Sequence, residues 1–243
     1  MKMNYLKDML QKADNIVCLA GKEMSKEMGI HTYWEAAKAY EIERIYGSSP
    51  EELYTAQCLE TRPEKFYEYY RNEVLMQDKE PGEAYYALAE IQKKVNLSWI
   101  ITRSIYDLPQ RAGCKNVINL HGTIFNSHCP RCGKHYSKEY ILESVKVPLC
   151  ETCGVPLRPG VTMVGEMVDN HAITKAADAV SKADVLLILG ANLRAKICSN
   201  ELQYFQGEKL ILINPEKHYM DHVADLVLNE NVADVLKQIV ELL

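Results

Sequence analysis

NIVCLAGKEMSKEMGI, residues 15–30, decides the fold. Residues 15–20 form an almost wholly apolar run that stops at Gly21 and opens into a helix-forming stretch. An apolar run of this length without alternation predicts a strand covered on both faces. A strand that ends in glycine and leads into a helix is where α/β proteins bring their backbone close to a phosphate. Small residues are expected there, yet Lys22 and Glu23 follow Gly21 directly. Three arrangements are open. Both side chains can point to solvent, where Glu23 favours the helix dipole. Lys22 can neutralise a bound diphosphate. Lys22 can instead pair with Glu23 and plug the crevice. A carboxylate facing inward, ~4–5 Å from a phosphate charge, costs ~3–4 kcal/mol at an effective dielectric of about 20.

The same strand signal recurs along the chain, at residues 97–102, 117–120, 161–165, 184–190, 209–214 and 225–228. Helical periodicity lies between many of these runs, at 34–46, 63–76, 83–95, 173–181 and 232–243. Strands alternating with helices predict an α/β fold, a Rossmann-like doubly wound parallel sheet. Ligands of such sheets sit at the carboxyl ends of the strands, where Gly21, Thr102, His121, Gly190 and Asn214 fall. Two segments break the alternation. Residues 34–82 are helical and rich in tyrosine, and residues 123–160 carry paired cysteines. We assign 1–33, 83–122 and 161–243 to a large domain, and the two interruptions to a smaller one.

Composition bounds the partners. The chain has 243 residues, 47% hydrophobic and 25% charged, with a formal net charge of -5. That profile is globular, and without a long basic run it argues against a nucleic-acid partner. No apolar stretch is long enough to span a membrane. The opening MKMNYLKDMLQKADN has no signal-peptide core and reads as a short amphipathic helix, so a cytoplasmic location is expected. Of the eight cysteines, Cys18, Cys58, Cys114 and Cys198 are scattered in mostly apolar surroundings, as buried thiols are. The other four read Cys129-Pro-Arg-Cys132 and Cys150-Glu-Thr-Cys153, separated by 17 residues, each pair followed by glycine. That spacing predicts a structural zinc ribbon, with four thiolates closing the shell and no open position for chemistry. His128 and His135 lie nearby as weaker candidates for the metal.

The ribbon sits between ITRSIYDLPQRAGCKNVINLHG (101–122) and PLRPGVTMVGE (156–166). This order resembles the sirtuins, NAD-dependent protein deacylases. The resemblance covers nearly the whole chain. It rests on Gln110-Arg-Ala-Gly113, Leu120-His-Gly122, the cysteine pairs, Arg158-Pro159, Gly165-Glu166, Gly190, Leu193 and Asn214. A generic Rossmann dehydrogenase, the structural alternative, would need G-x-G-x-x-G and has no ribbon. The resemblance implies structural Zn2+, NAD or an ADP-ribose-like nucleotide, and an acyl-lysine protein or peptide as partner. It implies that His121 is the base toward a ribose hydroxyl, a task suited to an imidazole of pKa near 6.5. It places Gly21, Ser25, Ser104, Gln110, Gly190, Asn192 and Asn214 at the cofactor.

Several positions depart from the family pattern. G-A-G-I-S becomes Gly21-Lys-Glu-Met-Ser25, and the Asp-Phe-Arg of the cofactor lid becomes Thr32-Tyr33-Trp34. Q-N-I-D becomes Arg103-Ser104-Ile105-Tyr106, which loses the ribose Asn and the nicotinamide Asp. Ser104 reaches a ribose only through water, and the Tyr106 ring, with Trp34, is expected to crowd the nicotinamide side. G-T-S-L becomes Gly190-Ala-Asn-Leu193, and Val164 replaces a bulky residue of the acyl-lysine tunnel beside Met163. The adenosine half therefore reads as better kept than the nicotinamide half. Three functions follow: a weakened or lost deacylase, an inactive nucleotide- or protein-binding homologue, and an ADP-ribose-type transferase or hydrolase using His121.

Overall fold

The structure is a computed structural model that describes residues 2–30 and 36–243. Trp34 and the lid positions around it lie outside the described residues. Two compact units emerge: Met1–Met28, Glu80–Leu120 and Asp169–Leu243 form the first, and Gly29–Lys79 with His121–Val168 the second.

The first unit is built on β1 (Ile16–Ala20), β2 (Leu97–Thr102) and β3 (Val117–Asn119), with three further strands described below. The second unit contributes a two-stranded antiparallel ribbon, β4 (Ser127–His128) and β5 (His135–Tyr136). The first unit then resumes with β6 (Val185–Leu189), β7 (Lys209–Ile213) and β8 (Leu226–Leu228). Its six strands run parallel in the order β3-β2-β1-β6-β7-β8. Every residue of β1 and of β6 is buried. That burial on both faces is why these runs do not alternate. The helices Glu83–Lys94 and Val232–Leu242 pack on one another and supply part of the cover. Strand order reverses between β1 and β6, so the ligand crevice of this sheet opens where Gly21 and Gly190 leave those strands.

The second unit has its own core. The helix Pro63–Tyr69 runs into a π-helical turn, Tyr70–Val74. It buries Phe66, Tyr67, Tyr69 and Tyr70, and Tyr54 packs with them. Phe66 stacks on Tyr70 at 5.6 Å and meets Tyr67 edge-on at 5.2 Å. These aromatics hold the cysteine-bearing segment: Tyr67 Oη donates to Leu157 O at 2.6 Å, and Arg71 Nε to Ile141 O at 2.8 Å.

One expected strand is absent. Residues 161–165 form only isolated bridges, Gly122 with Val161 and Thr55 with Val164. Gly165, at φ +82°, bends the chain, and the Glu166 carboxylate takes the Met163 N–H at 2.9 Å, so a continuous ladder cannot run through. The remaining runs form strands within one or two residues of their expected ends.

Among buried groups of the first unit, Glu201 is costly. It is 4% exposed, and its Oε2 has no hydrogen-bond partner. Burial raises its carboxyl above the usual value of 4.5. The folded state thus keeps a proton that the unfolded chain has lost, and this contribution weakens stability as pH rises from about 4.5 through the raised folded value. Glu201→Met is expected to stabilise the protein by about 1–3 kcal/mol at pH 8, and by less near pH 4, in urea unfolding. Equal effects at both pH values would contradict this account.

Candidate functional site

The crevice between β1 and β6 is shaped by glycine contacts. Gly21 N donates to Leu189 O at 2.8 Å, and Glu23 N to Gly190 O at 3.0 Å. A Cβ on Gly21 would lie 2.4 Å from Gly190 O. Gly190 has φ +65°, and a Cβ there would lie 2.9 Å from Met24 N and 3.0 Å from the Glu23 Cβ. Both positions therefore require glycine, which is the close backbone approach that a nucleotide crevice uses.

The orientation of the charged pair is now defined. Lys22 is exposed. The Glu23 side chain is 12% exposed and pairs with Lys26 at 3.3 Å, one helical turn on. Glu23 thus borders Gly190 through its Cβ, and its carboxylate is partly offset by Lys26. Ser25 is buried, and its hydroxyl shares a hydrogen bond with Tyr85 Oη at 2.9 Å. Burial pushes the Tyr85 phenol far up, so it stays neutral. Nothing in the sequence flagged Tyr85, which sits on a helix face that reads as core.

The carboxyl ends of the other strands of this unit carry the remaining expected residues. Asn214 follows β7 and is 4% exposed. Its Nδ2 donates to Glu216 O at 2.7 Å, while its buried Oδ1 has no protein partner. Such an acceptor is costly unless a ligand or water supplies a donor. Asn192 Oδ1 accepts from Arg194 N at 3.0 Å, and Arg194 Nε donates to Tyr219 Oη at 2.9 Å. After β2, Ser104 N donates to Thr102 Oγ1 at 3.0 Å, and Tyr106 is buried. Gln110 Nε2 donates to Asn119 Oδ1 at 3.1 Å, and Asn119 Nδ2 in turn donates to Asp107 Oδ1. Asp107 takes a left-handed backbone at φ +50°. Reading residue types did not reveal this amide–carboxylate chain, because Asp107 and Asn119 are 12 residues apart.

His121 lies in the second unit, immediately after Leu120 closes the second segment of the first. Its carbonyl accepts from Thr162 N at 2.9 Å. Gly122, at φ +73°, and Gly160 let these segments touch, since a Cβ on Gly122 would lie 2.1 Å from Gly160 O. Nearby, Arg158 donates to both Glu166 oxygens at 2.7 Å.

The four cysteines of the same unit converge. The sulfurs of Cys129, Cys132, Cys150 and Cys153 lie within 4.8 Å of one another, and Cys132 and Cys150 are 3.7 Å apart. A tetrahedral zinc with bonds of about 2.3 Å requires sulfurs roughly 3.8 Å apart, so the donor set fits that metal. The Tyr136 hydroxyl, bonded to the Cys150 sulfur, pulls that thiol down to about 6. Cys153, facing the Cys132 sulfur, is held up to about 12 without a cation. His135 stands outside this set, its Nδ1 2.7 Å from Asn126 Oδ1. The His128 backbone pairs with Arg158.

Comparisons agree with this geometry. A model of the Sir2 family matches residues 20–196. An NAD-dependent protein deacetylase of Clostridium perfringens (strain 13 / Type A) is 34% identical over 241 residues, 99% of each chain. A structure solved to explain sirtuin substrate affinity is 29% identical, with a TM-score of 0.87 and 99% of both chains covered. A Sir2 solved with a p53 peptide and NAD+ is 28% identical, with a TM-score of 0.81, covering 99% of this chain and 98% of that one. No described helix is long and apolar enough to cross a membrane. With its parallel Rossmann-like sheet and four-cysteine cluster, the chain belongs to the Sir2 family, the sirtuins, which use NAD.

Proposed function

We propose that this protein is a sirtuin whose NAD-dependent deacylation of lysine side chains is weak, because its adenosine contacts persist while its diphosphate and nicotinamide contacts are altered. The observation that carries this reading is Glu23. Its side chain is 12% exposed, its Cβ borders the Gly190 cradle, and its carboxylate pairs with Lys26.

Toward NAD the residues divide. The Gly21 and Gly190 cradle and the orphaned Asn214 Oδ1 fit a ribose and its phosphates. Asn192, Ser104 and Gln110 supply further polar groups at the strand ends. Glu23 does not fit a diphosphate. Tyr106 offers a buried ring where a nicotinamide carboxamide needs a carboxylate acceptor. NAD, when bound, supplies a ribose carbon open to attack by an acyl oxygen. His121 would take a proton from a ribose hydroxyl, and Thr162, bonded to its carbonyl, fixes the backbone from which that imidazole projects. Acyl-lysine peptide is the substrate class, as in the sirtuin solved with an acetylated peptide.

Asn214 supports a second reading, adenine-nucleotide binding without turnover, because its orphaned oxygen asks for a ligand donor whatever the nicotinamide side does. Transfer or hydrolysis of an ADP-ribose-type ligand through His121 is a further outcome of the same test. Calorimetric titration with NAD and with ADP-ribose, paired with nicotinamide release in the presence of an acetyl-lysine peptide, separates these. We expect ADP-ribose to bind at least as tightly as NAD and nicotinamide release to be slow. Robust turnover abolished by His121→Ala would overturn the weak-activity reading.

A further inference from the structure

The four sulfurs are not equally served by their surroundings. Cys132 is exposed and Cys153 partly so, and water can donate to both. Cys129 and Cys150 are each 1% exposed, so their donors must come from the protein. Cys129 Sγ accepts the backbone N–H of Arg131 at 3.4 Å, within its own knuckle. Cys150 Sγ, besides backbone N–H groups of Thr152 and Cys153 in its own knuckle, accepts from the Tyr136 hydroxyl at 3.2 Å, a side chain from the other knuckle's strand.

The direction of that bond is fixed. Tyr136 Oη accepts the Glu151 N–H at 3.0 Å, which leaves the phenolic hydrogen for the sulfur. The ring is 7% exposed and held by β5, and it packs on Tyr140 at 4.7 Å between centroids. Lys134, its ammonium 5.3 Å from the ring centre, pairs with Glu151 at 2.5 Å and ties the same two turns together. Core packing alone accounts for an aromatic ring here. It does not account for a hydroxyl placed between a backbone N–H and a buried metal-facing sulfur. Four thiolates around one zinc carry a net charge of about -2, and hydrogen bonds to sulfur spread that charge and hold the ligand in place.

We propose that Tyr136 is a positioning residue of the zinc centre: its hydroxyl donates to the Cys150 thiolate, restrains that sulfur's electron donation to the metal and slows release of the zinc. Tyr136→Phe keeps the ring and removes only the donor. Zinc transfer from the folded protein to a chromogenic chelator should speed up about tenfold or more. In protein loaded with cobalt in place of zinc, the sulfur-to-metal charge-transfer band should move to lower energy. Tyr140→Phe is the control. Tyr140 Oη donates to the Leu149 carbonyl at 2.8 Å, so its loss removes a structural bond of the same module without touching sulfur. Its cobalt band should coincide with the parent's. Transfer from Tyr136→Phe within twofold of the parent, or an unmoved band, would overturn the proposal. So would Tyr140→Phe moving the band equally. Site-specific 3-fluorotyrosine at position 136 keeps ring and hydroxyl but donates more strongly. It should shift the band to higher energy and slow transfer, and an unshifted band there overturns the proposal even if Tyr136→Phe fails to fold.

Discussion

Cys150→Ala is expected to strip the zinc from the protein and unfold the ribbon around it. The parent, purified without added metal, should carry about one equivalent of zinc per chain, and the variant less than a tenth of one. The size of the effect follows from how short the ribbon's own strands are. Its two-stranded sheet pairs Ser127 with Tyr136 and His128 with His135, with isolated bridges from His128 to Arg158 and from Leu149 to Pro156. Two such short strands are not stable in water without further support. The metal supplies it: apparent binding energies of structural zinc in small peptides reach about 10–16 kcal/mol, and that energy is folding energy. Loss should be local. Helix Pro63–Tyr69 keeps its aromatic cluster, and the six-stranded sheet is a separate unit. Hydrogen exchange should therefore show residues 127–157 losing protection, while β1 and β6 keep theirs. A parent with under a tenth of an equivalent and its four cysteines in disulfides would refute the zinc assignment.

The cysteine spacing announced this centre because a tetrahedral shell needs two tight knuckles, and a tight knuckle is a local pattern. The buried strands were legible for a similar reason. β1 and β6 are covered on both faces, so their sequences are unbroken apolar runs. Residues 161–165 carry the same kind of run, yet they form isolated bridges. What decides there is the Glu166 side chain on Met163 N and the bend at Gly165, which apolar periodicity does not register. The helix predicted over 63–76 changes hydrogen-bonding pattern at Tyr70, where a π turn begins. The glycines at the strand ends were legible, and the contacts of Gly21 and Gly190 leave no room for a Cβ. The polar wiring of the candidate site was not legible. Ser25 meets Tyr85 and Cys150 meets Tyr136 across long stretches of chain, and only the fold brings such pairs together.

Glu23→Gln is expected to tighten ADP-ribose binding at least tenfold, about 1.4 kcal/mol. Pairing of Lys22 with Glu23 was one arrangement the sequence allowed, but Lys26 is the partner at 3.3 Å and Lys22 is exposed. On the proposed reading, the group that opposes a diphosphate is the Glu23 carboxylate. An unscreened carboxylate ~4–5 Å from one phosphate charge would oppose binding by ~3–4 kcal/mol at an effective dielectric of about 20. Lys26 offsets part of that, which is why a tenfold gain is the threshold. Glutamine keeps the side chain's volume, and the Glu23 N to Gly190 O bond is made by the backbone and should persist. The substitution also releases Lys26, 54% exposed, from its ion pair. Lys22→Ala, by contrast, removes an exposed charge and should change affinity by less than twofold. The double change Lys22→Ala with Glu23→Gly should gain no more than Glu23→Gln, since glycine costs about 1 kcal/mol at a helical position. NAD should gain no more than ADP-ribose, because on the proposed reading Tyr106 and Ser104 leave the nicotinamide contacts unrestored. Calorimetry on variants shown to keep their zinc reads all four results. If Glu23→Gln binds ADP-ribose no better than the parent, Glu23 does not set the affinity, and the weakness lies in the adenosine contacts around Asn214.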